Sequence, residues 1–165
     1  MKDSIAEKTA YFGMFVALAF IFSYVESLIP FSIGIPGVKL GLANVVVLTA
    51  IYALGTKEGF FISIARVVLA GFTFSNAFTM VYSLGGGILS WAAMSAFKKT
   101  KKFSMIGVSI IGGVFHNIGQ IIVAGILIKT RSLIYYLPVL MIVGALTGIV
   151  TGYLSKVLLK IYKRI

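Results

Sequence analysis

His116, Asn117 and Gln120 stand together inside the apolar run 105–128, at positions i, i+1 and i+4. On a helix His116 and Gln120 share one face, and Asn117 lies about 100° round from them. An imidazole and two amides offer hydrogen-bond donors and acceptors to a solute, and in hydrocarbon each demands a partner. The set could equally be satisfied inside the fold, so the His116/Gln120 face is a candidate binding wall. It is not a metal centre. His116 is the only histidine, there is no cysteine, and the four acids Asp3, Glu7, Glu26 and Glu58 are scattered. That inventory offers no thiolate, no Ser-His-Asp arrangement and no carboxylate cluster of the kind that holds magnesium on a diphosphate. No catalytic residue, metal or cofactor is expected, and the chain reads as a non-enzyme.

Other polar groups lie at similar depth in their own apolar runs. Glu26 is near the end of the first, Asn44 near the start of the second and Arg66 within the third. Glu26 and Arg66 would either neutralise one another as an ion pair or contact a ligand directly. Lys39, Asn76, Tyr82 and Tyr135 flank them. Lys39 precedes a helix start, where free amides favour an anion, or serves as an interfacial anchor. Tyr82, Trp91, His116, Gln120 and Tyr135 are candidates for stacking on or hydrogen bonding to a flat, partly polar ligand. Lys39 and Arg66 are candidates for an anionic group, and Asn44 and Asn117 complete the candidate set. Gly85-Gly86-Gly87 lacks the Lys-Ser/Thr ending of a phosphate-binding loop and is expected to pack helices closely.

The elements that carry these groups must be membrane helices. Of 165 residues, 59% are apolar and 12% charged, with a mean hydropathy of +1.06. A soluble globule carries about 25% charged residues, so most of this surface faces lipid. Six apolar segments fall at 10–29, 40–54, 59–71, 80–97, 105–128 and 133–159, giving an all-α, polytopic six-helix bundle that forms one domain over 1–165. The first run is longer than a signal-peptide core and has no A-x-A-like site, so it is expected to stay as a span. Connectors are expected at 30–39, which holds two Pro and two Gly, at 72–79, and at the basic turn 98–102.

If the first span runs outward, eleven Lys and Arg fall on one side and three, Lys39, Lys129 and Arg131, on the other. The asymmetry puts both termini in the cytoplasm and explains the net charge of +11 without nucleic acid. The polar groups then cluster in the outer half above an apolar inner half, which is the pattern of a pocket and not of a pore. Two sets of small residues recur at helical spacing, Ala6, Ala10, Gly13 and Ala17 on the first span and Gly144, Gly148 and Gly152 on the last. Each marks a face for close helix contact, within this chain or, for the first span, with a separate membrane subunit.

The block Val38-Lys39-Leu40-Gly41-Leu42-Ala43-Asn44-Val45-Val46, then Leu54-Gly55 and Gly112-Gly113-Val114-Phe115-His116-Asn117-Ile118-Gly119-Gln120, resembles a small bacterial membrane family, heptaprenyl diphosphate synthase component I, also known as the Gx transporter family. That family is similar to the substrate-binding S-components of energy-coupling factor transporters. The resemblance implies a six-span subunit in the bacterial cytoplasmic membrane that captures a small molecule such as a vitamin or flavin. It also implies a transmembrane coupling subunit and ATPases as partners, docked through small residues such as Ala6, Ala10, Gly13 and Ala17. The synthase name implies the alternative, a non-catalytic membrane accessory subunit of polyprenyl diphosphate synthesis.

Overall fold

In the computed structural model of the chain, residues 5–29, 41–129 and 131–164 are described. They form six α-helices and no strand: α1 (Ile5–Leu28), α2 (Leu42–Ala53), α3 (Thr56–Thr73), α4 (Ala77–Lys99), α5 (Met105–Ile128) and α6 (Leu137–Tyr162). A six-residue 3-10 helix, Arg131–Tyr136, leads into α6. The expected segments are all present, and α5 has the expected limits. The polar residues that flank the apolar runs explain where several helices start. Asn76 accepts the Thr79 amide at 2.8 Å and Ser104 accepts the Gly107 amide at 3.1 Å, each with an extended backbone that caps its helix. The last expected segment is split, because Pro138 fixes φ and lacks an N–H, which suits the first turn of a helix and sets the start of α6 at Leu137.

Among the described residues, α1, α4, α5 and the stretch Ser132–Tyr162 are long and apolar enough to cross a membrane. They make the chain a membrane protein. The other two helices are different. At 12 residues α2 reaches only about 18 Å, less than the roughly 30 Å of hydrocarbon. At 18 residues α3 is long enough but carries Lys57, Glu58 and Arg66. Because α2 is apolar on every side, it is stable only when enclosed, and its residues Val45, Val46, Val47, Leu48, Thr49, Ala50 and Ile51 are all buried. It packs against α1, α3 and α6. Ser155 of α6 donates to its Val45 carbonyl at 3.0 Å.

Helices consecutive in the chain run in opposite directions, so the bundle has two chemically distinct ends. At one end lie the basic turn at 98–102 and the Lys/Arg-bearing end of α6. Just inside this end, Phe15, Leu48, Ile51, Ile62, Met94 and Val108 form the apolar core, with Trp91, Phe97 and Tyr162 packed against it. The C-terminus of α2 is buried here, and buried carbonyls must find donors. Lys98 supplies one: its Nζ donates to the Ile51 carbonyl and sits 4.8 Å from the centre of the Tyr52 ring. Lys98→Met keeps the length of the side chain but removes the donor and the cation at a helix C-terminus. It is expected to cost about 1–3 kcal/mol, read as a lowered unfolding midpoint in detergent.

The two small-residue sets differ in their surroundings. On α6, Gly144, Gly148 and Gly152 are buried against α5, where a Cβ at Gly148 would lie 2.6 Å from the Ile110 Cα. On α1 the buried side is Phe15, Ala19 and Ser23, whereas Ala6, Ala10, Gly13 and Ala17 are exposed. No described residue comes within 4 Å of a Cβ built at Gly13. Among the described residues, none covers this face at Gly13.

Candidate functional site

A cavity of about 150 Å³ opens between the helices toward the end opposite the basic turn, and all six helices wall it. Serine, threonine, alanine and glycine make up much of its wall, beside a few longer polar side chains. Ser23 and Glu26 come from α1, Asn44 from α2, Arg66, Ala70 and Gly71 from α3, and Ser83 and Ser90 from α4. From α5 come Ser109, Gly112, Gly113, His116, Asn117 and Gln120, and from α6 Val143, Thr147, Gly148 and Thr151. Glycines let α5 approach both neighbours. A Cβ at Gly86 of α4 would lie 2.7 Å from Gln120 Cγ and 2.8 Å from the His116 carbonyl. The Gly85-Gly86-Gly87 run is thus a packing surface, as its sequence implies.

Hydrogen bonds among the wall residues separate groups committed to the fold from groups that are not. Ser90 donates to the Gly112 carbonyl at 2.8 Å, and Ser109 and Thr151 share a bond of 2.8 Å, so the floor is a closed set of hydroxyls. Asn117 Nδ2 donates to the Leu140 carbonyl at 2.6 Å and ties α5 to α6. Arg66 Nη2 donates to Asn44 Oδ1 at 2.8 Å. Glu26 accepts the Gly41 amide at 2.5 Å, at the left-handed residue (φ 76°) that opens α2. A carboxylate there meets the positive end of the helix dipole. The helix start expected to receive an external anion is therefore occupied by the chain's own acid, while Lys39 lies outside the described residues. Glu26 and Arg66 face the same cavity, but their hydrogen bonds go to Gly41 and Asn44.

Two donors of wall residues are left without a partner. Arg66 Nε and Gln120 Nε2 are shielded from solvent and have no hydrogen-bond partner among the described residues. Gln120 is only 2% exposed. Buried polar atoms normally find a partner, so these two are exceptions within the packed bundle.

The sequence candidates divide accordingly. Asn44, Arg66, His116, Asn117 and Gln120 all line the cavity, whereas Tyr82, Trp91 and Tyr135 do not. Trp91 packs in the apolar core at the basic end, 4.6 Å from the Phe60 ring, and its indole donates to the Thr56 carbonyl at 2.7 Å. Its N–H is thus used in joining α4 to the start of α3. Tyr82 stacks on Phe78 along the same helix, at 6.4 Å and 15°. Tyr135 is 82% exposed in the 3-10 segment, which turns it away from the bundle. The hydroxyl-bearing wall residues were not anticipated. Serine and threonine satisfy themselves on helix carbonyls, as Ser23 does on Ala19 at 2.9 Å, so they stand out little in an apolar run. Among the described residues no three His, Asp or Glu side chains are grouped to hold a metal ion.

A family model described as heptaprenyl diphosphate synthase component I matches residues 15–158. No curated protein and no solved structure matches the chain. The matched stretch begins inside α1, ends inside α6 and includes every residue of the cavity wall. The chain belongs to the heptaprenyl diphosphate synthase component I family.

Proposed function

We propose that this chain is a substrate-binding subunit of the bacterial cytoplasmic membrane that captures a small molecule, of the vitamin or flavin kind, from outside the cell. All six helices then cross or enter the bilayer. The positive-inside bias assigns the basic end, with both termini, to the cytoplasm. The subunit is non-catalytic and depends on a separate coupling subunit and ATPases for energy. One observation carries this reading: a cavity with mixed polar and apolar walls that opens toward one end of the bundle above an apolar core. A recess of that kind holds a solute but offers it no continuous polar path.

Native mass spectrometry of gently extracted protein tests it. A bound water-soluble solute, with coupling-subunit and ATPase partners, is the expected result. The family's description favours a second reading, an accessory subunit of heptaprenyl diphosphate synthesis. A retained prenyl chain, or a copurified soluble prenyltransferase, would establish that one instead.

The uncovered face of α1 fits a membrane partner, since small residues let another helix approach closely. Gly13→Leu is expected to leave the unfolding midpoint and solute retention within error, because no described residue lies within 4 Å of a Cβ built there. The coupling subunit should be lost from the purified complex. Unchanged copurification removes this face from consideration as the docking site.

A further inference from the structure

We infer that the captured solute carries no net charge and joins a polar edge to an apolar body; this rests on the capture reading above and deepens it. The wall is already balanced in charge. Among the described residues lining the cavity, Arg66 is the only Lys or Arg and Glu26 the only acid. They stand on adjoining helices, α3 and α1, and their opposite charges attract one another. Each is also engaged in the fold. Glu26 accepts the Gly41 amide at the positive start of α2, and Arg66 donates to the Asn44 side-chain oxygen.

The cavity lies inside a helix bundle that lipid surrounds, so an ion seated in it loses part of its hydration and needs an opposite charge in return. Among the described residues, this wall has no uncommitted charge to offer. An anion beside Arg66 would compete with Glu26 for the guanidinium, and a cation beside Glu26 would compete with Arg66 for the carboxylate. A prenyl diphosphate, which brings several negative charges, fits worst.

The rest of the wall suits a neutral solute. Its hydroxyls, such as those of Ser83 and Thr147, are uncharged groups that can both donate and accept. Between them stand apolar side chains, Leu48, Val67 and Val143 among them. That mixture meets a molecule with hydrogen-bonding groups on one side and carbon on the other.

Benzamide, benzoate and benzamidine test the inference, since the three share a shape and differ in charge: neutral, anionic and cationic. They are titrated calorimetrically into the full chain in lipid nanodiscs at pH 8, above the ordinary imidazole pKa of about 6.5, so that an ordinary histidine adds no charge. Benzamide is expected to bind at least tenfold more tightly than either ion. Glu26→Gln keeps an acceptor for the Gly41 amide but uncovers the guanidinium, and should bring benzoate level with benzamide or ahead of it. Arg66→Gln should do the same for benzamidine.

An ion that binds the unaltered protein as tightly as benzamide overturns the inference and leaves capture standing. A wild-type ranking kept in both variants, once they are shown to be folded, overturns it too. The solute retained in the mass measurement gives an independent check, because one that is ionised at neutral pH sinks neutrality alone. If none of the three probes binds, an uncharged retained solute supports the inference, and the absence of any solute sinks it together with capture.

Discussion

Gly113→Leu is expected to prevent stable folding, with a loss of more than about 4 kcal/mol, in the range reserved for severe packing defects. A Cβ at this position would lie 2.2 Å from the Gly144 carbonyl oxygen and 3.1 Å from its carbon. The obstacle is backbone, so no rotamer change relieves the clash and the helices must separate. Separation is costly because the contact runs the length of the seam: Gly148 lies against Ile110, and Gly152 against Ile106. It would also stretch the Asn117 bond to Leu140 and the Ser109 bond to Thr151. Between membrane helices, close packing and such bonds supply the attraction that the hydrophobic effect supplies in water. Unfolding titrations in mixed micelles check the size of the loss. A Gly113→Leu protein as stable as Gly13→Leu would mean that α5 and α6 do not meet in this way.

Thr147→Phe should do the reverse, sparing the fold and eliminating capture. Thr147 lines the cavity, but its hydroxyl bonds only to carbonyls of its own helix, Val143 at 3.0 Å and Gly144 at 3.2 Å. Losing it orphans no group on another helix, so stability should stay within about 1 kcal/mol. The phenyl ring takes up much of a cavity of about 150 Å³, space that a solute would use. Solute retention is expected to fall at least a hundredfold, about 2.7 kcal/mol at 25 °C. Calorimetry with the retained solute, beside an unfolding titration, separates the two effects. Retention at the wild-type level would mean that solute binds elsewhere.

The sequence made the architecture legible wherever a polar cap met an apolar run. Ser104 and Lys129 bound α5 closely enough that its limits match the run itself. Polar residues set within apolar runs also meet at the cavity: Asn44, Arg66, His116, Asn117 and Gln120 converge from three helices. The aromatic candidates did not, because an amphipathic ring suits a core edge, a helix face or a ligand equally well. Trp91 found its acceptor on Thr56, a backbone oxygen that no reading of side-chain types reveals. Glu26 illustrates the same limit. Its charge and depth were visible, but its partner is the amide of Gly41, whose availability depends on where α2 begins. Likewise, an Ala/Gly stripe looks the same whether its partner lies in this chain or outside it, and only the packed structure distinguishes α1 from α6.

The glycine seams also bear on how a solute could get in. Where main chain rests on main chain there is nothing to swivel, so α4, α5 and α6 should move as one stiff slab. The opposite wall is held by rings and a thioether: Phe20 and Tyr24 meet Phe74 at 5.6 and 5.5 Å, and Met80 fills the gap beside Gly71. Those side chains can change rotamer at little cost. Breathing at the mouth therefore falls to α1 and the tip of α3, and a cross-link pinning α1 to that tip should slow entry and exit more than one between α5 and α6.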